Sequence, residues 1–325
     1  MLSPSAHSRA SLLSRKAWLR RMTTKTVAVP YYDTGTECTI WLKLEYMLPS
    51  GSTKDRVAAY LLSHGVESGA ITPETMVVEA SSGSTSIALA MACAVLGVKF
   101  CAVMPDNVSR ERLLIIKRYG GEARTTPARL GVLGAIEETR RMAAADARVF
   151  LTKQFENPLN ARAHQRETGP ELIEQVGTTI HGFVAGVGTG GTLQGIAMAL
   201  REAGHTTRVA KVLPTKGGGA CFSGQPEVCG GIPGVVEGLS TILDPQSIQL
   251  GADITINEYD ALCATRELCR MGFAVGPSSG LNLAGARALA RELGPGHTIA
   301  TVLCDRMERY FSTDLFEDLS MSCSG

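Results

Sequence analysis

Short apolar, β-branched runs alternate along this chain with segments long enough for three turns of helix, and that alternation restricts its possible folds more than any other feature. Met76 to Val78, Phe100 to Val103, Phe183 to Ala185, Val209 to Leu213 and Ile299 to Leu303 read as strands. Ile87 to Leu96, Arg110 to Tyr119, Leu130 to Ala145, Leu193 to Glu202 and Tyr259 to Met271 read as helices. Strands joined by helix-length crossovers pair in parallel, so the pattern predicts an α/β protein with mostly parallel sheets flanked by helices. A chain of 325 residues has room for one large domain or two ordinary ones. The apolar stretch from Ser86 to Met104 is interrupted by Gly97 and Lys99 and ended by Pro105, which predicts a helix running into a buried strand, not a membrane span.

Charge and cysteine usage narrow the function. Lysine and arginine total 32 against 31 acidic residues, a net charge of +1 that lacks the electrostatic excess of a nucleic-acid binder. Nine cysteines are present, an odd number with no C-x-x-C spacing, so neither a paired disulfide framework nor a zinc site is expected, and reduced thiols in an intracellular protein fit best. Residues 1–25 carry Arg9, Arg15, Lys16, Arg20, Arg21 and Lys25 with no acidic residue, and read as a basic N-terminal extension or a targeting peptide. The expected location is cytoplasmic, or mitochondrial if that segment is a transit peptide.

Ligands of parallel α/β folds bind where strands hand over to helices, and three such loops are unusual here. Ser81-Ser82-Gly83-Ser84-Thr85-Ser86 offers hydroxyls and helix-start N–H groups to an anion such as a carboxylate, although serine N-capping alone would explain it. Gly186-Val-Gly-Thr-Gly-Gly-Thr192 formally matches G-x-G-x-x-G, but Lys211 and Lys216 stand where a ribose-binding acid would be expected, so a lone phosphate monoester suits it better than a dinucleotide. Gly276-Pro-Ser-Ser-Gly280 leads into a helix expected to begin near Leu281, and alone is an ordinary capped turn. Lys54, in Gly51-Ser-Thr-Lys54-Asp-Arg56 ahead of an apolar helix from Val57 to Ser63, changes the weight of all three. A lysine, a phosphate cup and a carboxylate loop are the parts needed to hold pyridoxal phosphate (PLP) as a Schiff base.

With these residues the chain resembles the fold type II PLP enzymes of the cysteine synthase and cystathionine β-synthase family from about Thr26 to Leu319. Besides Pro49 to Arg56 and Gly186 to Thr192, the resemblance rests on Gln154-Phe-Glu-Asn-Pro-Leu-Asn160 with His164 and Thr168-Gly-Pro-Glu171. It implies two domains, each with a central, mostly parallel sheet: a smaller, mobile one over residues 46–157 that receives the substrate carboxylate, and a larger one over 26–45 and 158–319 that holds the PLP phosphate. Lys54 is then the Schiff-base lysine and the catalytic base. Gly188, Thr189, Gly190, Gly191 and Thr192 hold the phosphate, Ser278 meets the pyridine nitrogen, and Ser84 stands near the ring oxygen. Ser81, Ser82, Gly83 and Thr85 with Gln154 receive the α-carboxylate. The implied reaction replaces the β-substituent of an activated serine such as O-acetylserine by sulfide or a thiol, through an aminoacrylate stage, in a homodimer.

Departures from the family pattern keep a second activity in view. Ser84 stands where the family has asparagine, and Ser86 where it has glycine. The family's P-S-S-G-E-R-Y segment reads Cys304-Asp-Arg-Met-Glu-Arg-Tyr310, and Val236-Glu-Gly-Leu-Ser240 is closer to the cystathionine β-synthase form. The alternative is a desulfhydrase or cystathionine-forming enzyme acting on cysteine or serine.

Overall fold

The structure is a computed structural model that describes residues 9–23, 25–81, 83–215, 232–235 and 238–313. Ser82, Lys216, Val236, Glu237 and Leu319, together with Cys221, Cys229 and Cys323, lie outside the described residues. In chain order the elements are α1 (Arg9–Met22), β1 (Ala28–Asp33), β2 (Cys38–Leu44), α2 (Lys54–Ser68), β3 (Met76–Ala80), α3 (Ser84–Leu96), β4 (Lys99–Pro105), α4 (Arg110–Arg118), β5 (Glu122–Thr126), α5 (Gly131–Ala145) and β6 (Val149–Leu151). There follow α6 (Leu159–Ala163), a wider π turn (His164–Thr168), α7 (Gly169–Val176), β7 (Gly182–Gly186), α8 (Gly191–Glu202), β8 (Arg208–Thr215), β9 (Ile254–Asn257), α9 (Glu258–Arg270), α10 (Pro277–Leu293) and β10 (Thr298–Leu303).

The chain divides into two compact units, one from residues 1–24 and 48–159, the other from 25–47 and 160–325. The first is built on a four-stranded parallel sheet in the order β5-β4-β3-β6. Its helix α3, Ser-Thr-Ser-Ile-Ala-Leu-Ala-Met-Ala-Cys-Ala-Val-Leu, is apolar nearly all round, which suits a helix covered on every side. Ile87, Leu89, Ala90 and Ala92 are buried there in one cluster with Val77, Phe100 and Met104 of the sheet and with Leu62 and Val66 of α2. On the opposite sheet face, Val78, Ala80, Cys101 and Val103 pack with Ala135 of α5. Residues 9–22, expected as an extension or leader, form α1 in this unit. Leu12 and Leu19 enter the core, Lys16 pairs with Glu67 at 2.7 Å, and Arg15 Nη1 donates to the Leu96 carbonyl at 3.3 Å. That last bond satisfies a carbonyl the end of α3 leaves without an intrahelical partner.

The second unit has a six-stranded sheet in the order β1-β2-β10-β7-β8-β9. Every pairing is parallel except the β1–β2 hairpin, which the sequence pattern did not predict. One face is covered by α9 and α10, with Val184, Val212, Leu281, Leu283 and Leu289 in one cluster. The other face is covered by α7 and α8, with Phe183, Ala185, Leu172, Ile196 and Leu200 in a second cluster. Sheets buried on both faces by crossover helices are what the sequence alternation requires. No helix among the described residues is long and apolar enough to cross a membrane; Ser86 to Met104 is divided between α3 and β4.

Three helices begin three or more residues earlier than sequence pattern alone places them, and each difference bears on the site. α2 starts on Lys54 itself, not at Val57; α3 starts at Ser84, not Ile87; and α10 starts at Pro277, not near Leu281. Proline at the first helical position has no N–H to leave unsatisfied, so Pro277 opens α10 without cost and draws Ser278 into its first turn.

Candidate active site

Lys54 is fixed by the turn that precedes it. Gly51 adopts φ +84°, a left-handed conformation open to glycine, and its N–H donates to the Leu48 carbonyl at 2.7 Å. Asp55 accepts from the Ser50 N–H at 2.6 Å and from the Ser50 hydroxyl, so the residue after the lysine is bound to the turn ahead of it. Ser52, Thr53, Asp55 and Arg56 are all buried while Lys54 is half-buried. The lysine therefore rises from a backbone whose neighbours are immobilised by packing.

In the same unit, the turn between β3 and α3 brings together several of the expected carboxylate-binding residues. The Ser81 hydroxyl accepts from the Gly83 N–H at 3.3 Å, and the Ser86 hydroxyl donates to the Ser81 carbonyl at 2.6 Å. Ser86, the departure from the family glycine, thus closes the turn. Thr85 Oγ1 donates to Gln154 Oε1 at 2.6 Å, and Gln154 Nε2 donates to the Ala80 carbonyl at 2.8 Å, so the glutamine amide spans the two sides of the turn. A Cβ built on Gly83 would meet no atom within 4 Å, which leaves open space over the backbone at the N-terminus of α3. N–H groups at a helix start lack intrahelical acceptors, and with the helix dipole they favour an anion.

Sequence reasoning missed the group beneath this turn. Glu79, 3% exposed, accepts from the Ala80 N–H at 2.8 Å, the Gln154 N–H at 2.9 Å and the Thr152 hydroxyl at 2.5 Å. Burial pushes its carboxyl up to about 7 against those three donors, which favour the charged form. The signal was present: an acidic residue ending the apolar run Met76-Val-Val-Glu79 needs buried partners.

The second unit carries the glycine loop and Ser278. Gly190 has φ +77°, and α8 begins at the next residue. A Cβ on Gly188 would lie 2.1 Å from the Gly234 carbonyl oxygen, and one on Gly191 would lie 2.0 Å from Asn160 Oδ1, so neither position admits a side chain. Asn160 Nδ2 donates to Thr189 Oγ1 at 3.0 Å, the Ser240 hydroxyl donates to the Thr189 carbonyl at 2.5 Å, and Thr192 Oγ1 lies 3.3 Å from Nε2 of buried His164. The loop is held from outside and keeps its backbone bare. Asn282 of α10 accepts from the Gly186 N–H at 2.7 Å and donates to the Val302 carbonyl at 2.7 Å, tying the start of the loop to α10 and to the end of β10. Half-buried Ser278 occupies the first turn of that helix. The Cys304 N–H donates to the Ser279 hydroxyl at 2.9 Å, and Asp305 accepts from the Tyr310 hydroxyl at 2.8 Å, so the divergent segment after β10 is bonded to the Ser278 helix.

These features fit a phosphate monoester. A strand-to-helix loop whose glycines have no room for Cβ atoms presents backbone N–H groups at the positive end of α8, as a phosphate dianion requires. The family model for pyridoxal-phosphate-dependent enzymes matches residues 19–305. The chain belongs to this family. Among curated members of the PLP enzymes, cysteine synthase B from Campylobacter jejuni is 36% identical over 282 residues, which cover 85% of this chain and 91% of the relative. A hydrogen sulfide-producing enzyme from Fusobacterium nucleatum superposes with TM-score 0.85 at 30% identity, covering 95% of this chain and 94% of that one. An O-acetylserine-dependent cystathionine β-synthase from Helicobacter pylori superposes with TM-score 0.83 at 30% identity, covering 92% and 98%. This chain is a PLP-dependent enzyme with the fold type II architecture of those structures.

Proposed function

We propose that this PLP enzyme is a cysteine synthase, exchanging the β-substituent of O-acetylserine or a similarly activated serine for sulfide to give L-cysteine. The observation that carries the reading is the Gln154 amide clamped between Thr85 and Ala80 at the start of α3, an arrangement that suits an amino-acid carboxylate, in the unit that carries Lys54. The name of the Campylobacter relative supports the choice of reaction.

The site residues have separable tasks in this reading. Gly188, Thr189, Gly190, Gly191 and Thr192 bind the cofactor phosphate, and Ser278 hydrogen-bonds its ring nitrogen. Bound PLP supplies an electron-withdrawing ring that stabilises negative charge left at the substrate Cα. Lys54 Nζ would anchor the cofactor and, once free, would serve as the base that takes up the α-proton. Ser81, Ser82, Gly83 and Thr85 with Gln154 orient the carboxylate, so that the Cα–H bond meets the lysine amine and not solvent, while Ser84 stands near the cofactor's ring oxygen. A serine at the ring nitrogen exchanges hydrogen bonds without imposing protonation as a carboxylate would, which favours departure of the β-group over racemisation or transamination. Residues 46–157 form the carboxylate-binding domain in this scheme, and 26–45 with 158–319 the phosphate-binding domain. The expected assembly is a homodimer in an intracellular compartment.

A second reading, desulfhydration of cysteine or formation of cystathionine from serine, is favoured by the departure of Cys304-Asp-Arg-Met-Glu-Arg-Tyr310 from the family's P-S-S-G-E-R-Y. Absorbance titration of the purified protein with O-acetylserine, serine and cysteine, followed by product analysis with and without sulfide, separates the two. Cysteine formed only when O-acetylserine and sulfide are both supplied is the expected result; sulfide released from cysteine at a comparable kcat/KM would transfer the assignment to the alternative. Lys54→Ala should abolish the visible band of lysine-bound cofactor and lower turnover by three decades or more, on the order of 4 kcal/mol.

A further inference from the structure

Under the turn assigned to the substrate carboxylate lies a group that no step of the reaction uses. The Glu79 carboxylate cannot itself touch a substrate carboxylate favourably, since both are anions, and it is buried. Its two oxygens accept three hydrogen bonds that join separate stretches of chain: the Ala80 N–H at the end of β3, and the Thr152 hydroxyl and Gln154 N–H just after β6. The strands β3 and β6 pair only over Met76 to Val78, so beyond Val78 the carboxylate continues a connection that the sheet has ceased to make. Both residues whose N–H it holds belong to the clamp above it: Gln154 supplies the amide, and Ala80 supplies the carbonyl that orients that amide.

We propose that Glu79 is a positioning residue for substrate carboxylate recognition, holding Ala80 and Gln154 in the register that aims the Gln154 amide at Thr85 and the start of α3. The proposal rests on the reading of that turn as the carboxylate site. Two of the three donors are backbone N–H groups, which cannot reverse into acceptors. An ionised carboxylate satisfies all three. A protonated carboxyl points its O–H at Thr152, whose hydroxyl turns round to accept it, and the protonated oxygen is then a neutral, weaker acceptor for the Gln154 N–H; a glutamine in its place must set its NH2 against at least one N–H. Either change loosens one end of the clamp while leaving Lys54 and the glycine loop unaltered.

The carboxyl, pushed up to about 7, changes charge in the range where the enzyme can be assayed. The surrounding elements contribute few other charges. In register with Glu79, β4 places Ala102, and α3 carries no charged side chain. After β6 come Lys153 and Glu156, and α5 contributes Arg140, which pairs with Glu156 at 2.9 Å. Beyond α3, the first turn of α2 carries Lys54, Asp55 and Arg56.

The test is equilibrium binding to the holoenzyme of L-alanine, which has no β-leaving group, beside L-alaninol, which has the same skeleton but no carboxylate. Dividing one affinity by the other at each pH cancels the titration of the ligand amine and of the cofactor. For the parent, the alanine-to-alaninol preference should fall about tenfold as pH drops from 8.5 to 6. Glu79→Gln should show the low preference, about tenfold below the parent at pH 8.5, at every pH, with alaninol affinity and the cofactor absorbance unchanged. Thr152→Val keeps the carboxylate and removes one donor to it, so its midpoint should move upward by about one pH unit. A Glu79→Gln protein with the parent's preference overturns the proposal; if that variant does not fold, an unmoved midpoint in Thr152→Val does so. Gln154→Ala separates the two layers of argument. Loss of preference in Gln154→Ala but not in Glu79→Gln rejects the role of Glu79 alone, whereas an unchanged Gln154→Ala protein rejects the carboxylate site itself.

Discussion

Two glycines of the site fail differently on gaining a methyl group. At Gly191 the new Cβ would lie 2.0 Å from Asn160 Oδ1, and Asn160 cannot retreat freely because it is 1% exposed and holds Thr189 Oγ1. Gly191→Ala should therefore displace the loop backbone and weaken PLP binding by about one to two decades, measured by titrating apoenzyme with the cofactor. At Gly83 the methyl would meet nothing, and φ −127° lies outside the left-handed region. Gly83→Ala should keep the parent's Tm and cofactor affinity while raising KM for the amino-acid substrate, because the methyl fills the space above the α3 N-terminus. Equal PLP affinity in parent and Gly191→Ala would mean that the phosphate binds elsewhere.

Among the elements, α1 shows how little a local pattern can say about a segment's part in the core. Its arginines and lysines made residues 1–25 look separable, yet Leu19 is fully buried with Leu12 close behind. Leu19→Ala should destabilise the first unit by about 2–5 kcal/mol, the usual cost of a cavity at a well-packed leucine, read from the urea midpoint. An effect below about 0.5 kcal/mol would show that α1 does not stay docked in solution. The long, strongly periodic crossovers were legible, as were the loops that join them, because apolar spacing and glycine or hydroxyl clusters are local properties. The β1–β2 hairpin was not, since Pro30 within Val27-Ala-Val-Pro30 argues against a central strand and is tolerated here at the sheet edge. Polar Glu122-Ala-Arg-Thr-Thr126 is a strand through its pairing with β4, not through its own preference. Lys54, the glycine loop and the serine turn stand out in the sequence because each is a local motif. The bonds that hold them, from Glu79, Asn160 and Asn282, could not, because each partner is remote in sequence.

Across the whole molecule, Glu79 sets stability against recognition. The folded carboxyl keeps its proton to about pH 7, whereas in the unfolded chain it loses it near 4.5. Stability from this group is therefore greatest below about pH 4.5 and declines as pH rises to about 7, by on the order of 3 kcal/mol, beyond which it is level. Glu79→Gln has no such charge to bury, so its Tm relative to the parent should rise between pH 5 and pH 8; parallel Tm curves would show that the folded and unfolded carboxyls titrate alike. The topology also sets an order of events for a chain emerging from the ribosome. The first unit is complete in sequence once Leu159 has been made, but β2 must wait for β10, its parallel neighbour from Thr39↔Thr298 to Leu44↔Leu303, about 260 residues later. During that interval Ile40 and Leu42, both fully buried in the finished protein, have no sheet interior to enter. The hairpin is then the segment most exposed to wrong pairing or chaperone capture, and the slowest part of the chain to reach its final place is among the earliest translated.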